Sequence, residues 1–329
     1  MRIKRFVRLI VKMISVLWIL STITFILMKL TPGDPVVHML HVGEANVSQS
    51  TINATRQAYG LNDQWFIQYG RWLVNVIHFD FGVSYQTHEP VLKALIFHAQ
   101  PTILIAILTI MVVMMTALPL GIWAGRHPNS KMDRLIRTAT SMTVSLPSFF
   151  LGIVLIHIFA VRLNILPASG YASPLHLVLP VMAMSIGMSA YYIRLMRSTV
   201  MNLYQSREVA ASRLRGMSER YIFFTDILKP ALVPVVTILG LSIGSLIGGT
   251  VVIERVFSIP GLGQFLVDSV RARDYPVIQG IVLMMGVIVV LANMLSDMLI
   301  LFLDPKQRLQ YQKTESLRLE TAEYEVSSQ

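Results

Sequence analysis

The chain has 329 residues, of which 54% are hydrophobic and only 14% charged, and its mean hydropathy is +0.60. An ordinary soluble domain carries about 25% charged residues along its length. Here the charges bunch between long uncharged runs, which is the pattern of a polytopic membrane protein. The absence of cysteine excludes disulfides, Cys-ligated zinc, iron–sulfur ligation and thiol catalysis.

The first apolar stretch follows a basic front of Arg2, Lys4, Arg5 and Arg8. Met13–Met28 is long for the 7–15-residue apolar region of a signal peptide, and no small-x-small site follows it, so it reads as a retained first helix. Six stretches can each cross about 30 Å of hydrocarbon, which takes roughly 20 residues: Leu9–Met28, Pro101–Gly125, Thr138–Val161, Leu177–Met196, Ala231–Ile253 and Gln279–Leu303. The expected fold is an all-α membrane protein with six transmembrane helices. Between the first two, residues 31–100 read as an external helical cap, with Asn62-Asp63-Gln64 as a turn or helix start. After helix three, Asn164–Gly170 is a Pro/Gly turn. Residues 101–305 form a five-helix core containing a cytoplasmic loop at 199–229. Residues 306–329 mix charges with little apolar periodicity and read as a poorly ordered tail.

Lysine and arginine set the orientation. With the N-terminus inside, the inside segments hold twenty of them and the outside segments eight, so both ends are expected in the cytoplasm. The net charge of +10 is then an orientation signal rather than a nucleic-acid footprint. No Gly-x-x-x-x-Gly-Lys-Ser/Thr occurs, so any ATP hydrolysis belongs to another chain.

The loop between helices four and five is the most informative segment. Glu208, Ala210, Ala211 and Leu214 sit on a short helix, with Ala210, Ala211 and Leu214 spaced for one face. Gly216 stands where a helix-ending glycine should. A second helical stretch, Glu219–Leu228, is expected to end before Pro230. Helix, tight turn and helix make a rigid knob that either docks in a groove of a partner protein or is an ordinary basic loop. Helix five carries Gly240, Gly244 and Gly248 at spacings of four, with Ser245 and Gly249 beside them. Such small residues let another helix approach closely, within the chain or from a partner.

Polar groups in the spans are functional hypotheses. His157 lies in helix three near its outer end. Asp297, near Asn293 in helix six, either holds a structural hydrogen bond or contacts substrate. Glu254 and Arg255, ending helix five at the external face, either line an outer gate or anchor that end. His38 and His41 are three apart, but no cysteine or acidic cluster accompanies them. No histidine is assigned as a metal ligand, and the nineteen methionines read as packing residues.

The knob, Ala210-Ala211, three residues, Gly216 and a helix returning to the membrane, resembles the coupling motif of ABC importer permeases. Glu208 is not adjacent to the alanine pair, and Lys229 stands near a common proline position. Further segments resemble the dipeptide, oligopeptide and nickel branch of that family: Thr31–Pro35, Tyr59–Asp63 with Tyr69, Phe79–Ser84, Leu120–Ala124, Ser145–Phe149, Leu166–Gly170, Gly248–Phe257, Pro260–Gly263, Arg273–Gln279 and Asp304-Pro305. Together they cover Met1 to about Arg308. Leu120–His127, and Arg273–Gln279 followed by Leu283-Met284-Met285, are most similar to the first permease subunit of nickel importers.

The resemblance implies a type I importer permease, multi-pass in a bacterial cell (inner) membrane, with no active site and no cofactor of its own. It implies a second permease subunit in a heterodimer, two ATPase subunits that bind ATP and Mg, and an extracytoplasmic substrate-binding protein. It places helix five near the partner permease and the translocation path. The implied cargo is nickel or a nickel chelate, with a dipeptide or oligopeptide as the alternative. An ion-driven secondary transporter or a membrane scaffold is the reading from other classes.

Overall fold

The computed structural model describes residues 2–40 and 47–303. His41, Asp304-Pro305 and the tail 306–329 lie outside the described residues. The elements in order are α1 (Arg2–Leu30), α2 (Pro35–Met39), α3 (Gln49–Ala58), α4 (Trp65–Ile77), α5 (Val91–Arg126), α6 (Lys131–Val144), α7 (Ser148–Leu155), α8 (Val178–Tyr204), α9 (Arg207–Leu214), α10 (Glu219–Tyr221), α11 (Lys229–Val256), α12 (Leu262–Ala272) and α13 (Tyr275–Leu303). A π-helical turn, Ile156–Arg162, extends α7, and another, Ile222–Leu228, joins α10 to α11. Among the described residues the only β-pairing is an isolated bridge between Val83 and Pro90.

Five helical runs are long and apolar enough to cross a membrane: Ile10–Leu30, Val91–Arg126, Pro174–Tyr204, Glu219–Val256 and Tyr275–Ile300. The third expected span, Thr138–Val161, is not one helix. Lys131–Val144 and Ser148–Arg162 meet at a bend of 102°. Pro147 causes it, because its ring disfavours the helical region for Leu146 and it lacks an N–H. A sixth crossing exists if the bent pair is counted as one span.

At Pro230 the outcome is reversed. The expected helix stop is absent, and Lys229 is helical at φ −62° and ψ −49°. The wider π turn at Ile222–Leu228 gives the Pro230 ring room where an α-helical turn would press it against the Asp226 carbonyl.

The chain divides into two compact units. The first gathers Met1–Leu108, Gly152–Val181 and Leu246–Val290. Its core is Val91, Leu95, Ala99, Leu262, Val277 and Ile281, with Phe81 and Phe265 against them. The segment after α1 is pinned by polar contacts. Tyr69 Oη lies 2.9 Å from Ser21 Oγ and 2.7 Å from Thr22 Oγ1. Lys29 Nζ donates to Gln68 Oε1 at 2.6 Å. Asp34 caps α2 through Val36 N and pairs with Arg56.

The second unit gathers Thr109–Leu151, Met182–Ser245 and Leu291–Gln329. Its core runs from Val113 and Ala117 through Tyr192, Met196 and Val200 to Val209, Ile222, Ala231 and Val235. Here α5 and α8 approach closely at two glycines. A Cβ on Gly121 would fall 2.6 Å from Met196 Cβ, and one on Gly125 would fall 2.7 Å from the Arg197 carbonyl. The Leu120–Ala124 segment and the Gly125 after it therefore carry a packing requirement. The buried Asp133 carboxylate receives Arg197 Nε at 2.5 Å and Nη2 at 2.8 Å, which ties α6 to α8.

Candidate functional site

The knob is built from local rules. Ser206 caps α9 by accepting from Val209 N at 3.3 Å, with Glu208 in the first turn. Gly216 ends it at φ +75°, a left-handed conformation that glycine adopts without Cβ strain. Gly216 N donates to the Arg213 carbonyl at 2.9 Å, and Met217 N to the Ser212 carbonyl at 3.1 Å, which is the Schellman pattern. Ser218 then caps α10 through Tyr221 N. Across the turn, Arg213 grips Glu219 with two hydrogen bonds of 2.7 and 3.3 Å, and that carboxylate pushes the Arg213 pKa up.

Val209, Ile222 and Ile227 fasten the knob into the core of the second unit. Its outer surface is open and sets apolar side chains among charged ones such as Arg207, Glu208, Arg215 and Arg220. Ala210 and Ala211 are exposed, and Leu214 is 89% exposed. Met217, Tyr221 and Phe224 add exposed surface that sequence reasoning did not assign. The three-residue spacing of Tyr221 and Phe224 was the available signal. A leucine this bare, on a rigidly capped helix, has the form of an anchor for a pocket on another protein.

The small residues of α11 separate by role. A Cβ on Gly240 would fall 2.6 Å from Ser296 Cβ, whereas nothing lies within 4 Å of a Cβ on Gly248. Ser245 and Gly248 are exposed on the same face as Leu241 and Val252, while Gly244 and Gly249 are half-buried. Gly240 thus serves packing inside the chain, and Ser245 and Gly248 stand on an open face.

Glu254 is sealed within the first unit at 0% exposure. Its carboxylate accepts from Thr102 Oγ1 at 2.7 Å and from Gln264 N at 3.0 Å. It lies in a cradle of Gly261 and Gly263, where an added Cβ would fall within 2.3 and 2.9 Å of carboxylate atoms. Thr102 Oγ1 also accepts from Leu262 N at 2.8 Å, and the His98 ring nitrogen Nδ1 lies 2.8 Å from the Pro260 carbonyl oxygen. The Pro260–Gly263 segment is therefore stitched to α5 and α11 through a buried acid. Arg255 points elsewhere and pairs with Asp268 at 3.0 Å. His157 is exposed on its π-helical turn. Asp297 is also exposed and has no hydrogen-bond partner among the described residues; its neighbour Ser296 is the buried one.

Other matched segments meet in the first unit. Ser84 Oγ donates to Asp274 Oδ2 at 2.5 Å, and Tyr85 N donates to Oδ1 at 3.1 Å. Burial, and then the nearby Asp274 charge, push the Tyr85 pKa well above its usual range. Tyr59, Tyr85, Tyr275 and Lys29 line a cavity of about 180 Å³. Among the described residues no three His, Asp or Glu side chains gather as a metal-ligand set.

Comparison with known proteins places these features. Residues 117–309 match the family model for the binding-protein-dependent transport system inner membrane component. Residues 2–106 match the model for the N-terminal part of such membrane components. The nickel import system permease proteins NikB of Staphylococcus aureus strains USA300 and NCTC 8325 are each 48% identical over 308 residues, covering 94% of this chain and 93% of the relative. Among solved structures, the inward-facing MetNI methionine ABC transporter matches 64% of this chain and 97% of its own at a TM-score of 0.54 and 17% identity. An amino acid ABC transporter solved with histidines matches 63% and 92% at a TM-score of 0.50 and 15% identity. These two show the fold alone. The chain belongs to the family of inner membrane components of binding-protein-dependent transport systems, as a permease subunit of the ABC importer type.

Proposed function

We propose that this chain is the first of two permease subunits in an ATP-driven importer of nickel, carried as the ion or as a chelate. The observation that carries the reading is the 48% identity to nickel-system permeases over 94% of the chain. The exposed Leu214 knob supports ATP coupling. Glu208, Ala210, Ala211, Leu214 and Gly216 form the contact to two separate ATPase subunits, which hold ATP and Mg. Their motion, transmitted through α8 and α11, alternately opens the path to either side. Ser245 and Gly248, with Gly244 and Gly249 beside them, face the second permease or the path. His157 and Asp297 face the same assembly or its lipid. Glu254 positions the Pro260–Gly263 segment and is not itself a gate. A binding protein delivers cargo to the segment between α1 and α5, outside a bacterial cell membrane.

The orientation rests on the excess of lysine and arginine in the segments read as inside. With no native cysteine, single replacements test it cleanly. In intact cells an impermeant maleimide should label Asn62→Cys and spare Met217→Cys; the reverse would invert the topology. The cargo is tested by uptake of radioactive nickel against a labelled dipeptide in a deletion strain. Loss of nickel uptake supports the assignment. Unchanged nickel uptake with loss of dipeptide uptake would replace nickel by peptide.

A further inference from the structure

α6 is built for a membrane surface. Its buried face is narrow, comprising Asp133, Ile136 and Thr140. Arg134, Arg137, Thr138 and Ser141 follow at positions i, i+3, i+4 and i+7 and form an exposed polar stripe. Beyond it runs an apolar stripe, with Leu135 62% and Met142 69% exposed. Basic and apolar stripes side by side are the mark of a helix lying in the interface, charges among head groups and apolar side chains in the acyl boundary. The 102° bend after α6 allows this placement. The roughly 18 residues from Leu146 to Leu163 still reach the lower range needed for a crossing.

α8 faces the polar stripe and closes a basin. Two adjoining hollows of about 520 and 510 Å³ share Arg137 and Ser141, with Arg194 lining one and Arg134 the other. Arg197 is engaged by Asp133, and Arg137 reaches the same carboxylate at 3.7 Å. Arg134 and Arg194 have no ion pair among the described residues. Of four guanidinium groups, two therefore engage the one carboxylate and two are left over, and the basin is complementary to an anion. Guanidinium forks fit phosphate oxygens, and Thr138 and Ser141 add hydroxyl donors. The flanking apolar stripe gives that anion acyl chains. We propose that this basin binds the phosphate of an anionic phospholipid from the leaflet in which α6 lies. Because α8 runs directly into the α9 knob, the bound lipid braces the helix pair from which the knob projects.

Assignment to the cytoplasmic leaflet rests on the orientation proposed above, which maleimide labelling tests separately; lipid binding itself does not depend on it. The importer is co-expressed with its ATPase subunits, purified in mild detergent, and examined by native mass spectrometry with added phosphatidylglycerol or phosphatidylcholine. The wild-type complex should retain phosphatidylglycerol and not phosphatidylcholine. Arg134→Ala/Arg137→Ala/Arg194→Ala should lower retention about tenfold or more, and the corresponding triple lysine variant should recover part of it. Equal retention by the triple alanine variant would overturn the proposal, as would displacement of the lipid by inorganic phosphate, which would make the basin a free-anion site. If the alanine variant does not assemble, photoreactive phosphatidylglycerol on the wild-type complex decides. Labels within 131–144 and 191–198 support the basin, and labels only elsewhere refute it.

Discussion

Leu214→Ala is the sharpest perturbation of the knob. Leu214 is 89% exposed, so its truncation removes almost no contact within the chain. The loss should fall on the docked complex, where full burial of a leucine contributes about 1.5–3 kcal/mol. Taking about 2 kcal/mol for the truncation, and about 1.4 kcal/mol per tenfold change, affinity for the ATPase subunit should weaken about 30-fold. The assay titrates labelled ATPase subunit onto the two-permease complex in nanodiscs, with thermal unfolding of the permeases alone as the control. The expected outcome is weakened docking with unchanged unfolding. Affinity within about twofold of wild type would show that Leu214 anchors nothing. A drop in unfolding temperature would show that the side chain has a structural role that its exposure does not reveal.

Three further outcomes follow from the geometry. Gly216→Ala meets no steric neighbour but pays the left-handed penalty of about 1–2 kcal/mol. Gly216→Asn should lose less, so uptake and thermal stability should rank Gly, Asn, Ala; equal behaviour of all three would mean that the φ of +75° is not maintained in the assembly. Glu254→Ala leaves the Gln264 N–H without its acceptor, at about 1–3 kcal/mol, and the Thr102 hydroxyl with the His98 carbonyl at 3.3 Å alone. It should lower the unfolding temperature and open the Pro260–Gly263 segment to proteolysis, with Glu254→Gln milder; an unaffected Ala variant would refute the anchoring role. Asp133→Asn leaves Arg197, whose side chain is 15% exposed, without its charged partner and should cost about 1–3 kcal/mol of stability. Asp133→Asn/Arg197→Met should recover part of that in the same unfolding assay; no recovery would show that the pair is not what links α6 to α8.

Features governed by near neighbours were readable before any coordinates. The knob followed from a small-residue face, a glycine just after it and a second helical stretch, and all of its parts lie within about twenty residues. Five spans were visible because each is a continuous apolar run. The two proline sites show where this reading stops. Leu146-Pro147 bends a run that looked continuous, and Pro230 fails to end a helix that looked finished. Pro119 and Pro234 also continue their helices, so the surrounding fold, with its π turn before Pro230, makes the difference rather than the proline itself.

The polar residues mark the limit most clearly. Glu254, His157 and Asp297 looked alike in sequence, as ionisable groups in apolar runs. Tertiary structure sealed the first and left the other two bare. The partners of Glu254 are Thr102, 152 positions away, and the backbone at Gln264. Likewise, the Gly240 contact with Ser296 and the Asp133 pair with Arg197 join residues more than fifty positions apart. The sequence by itself determined that the chain is a helical membrane protein, where five of its spans lie and how its knob is shaped, because periodicity, apolar length and capping act over one or two turns. The structure alone decided which acid is an anchor, which glycine is a contact and which arginines share a basin, because burial and charge pairing depend on neighbours brought together only by folding.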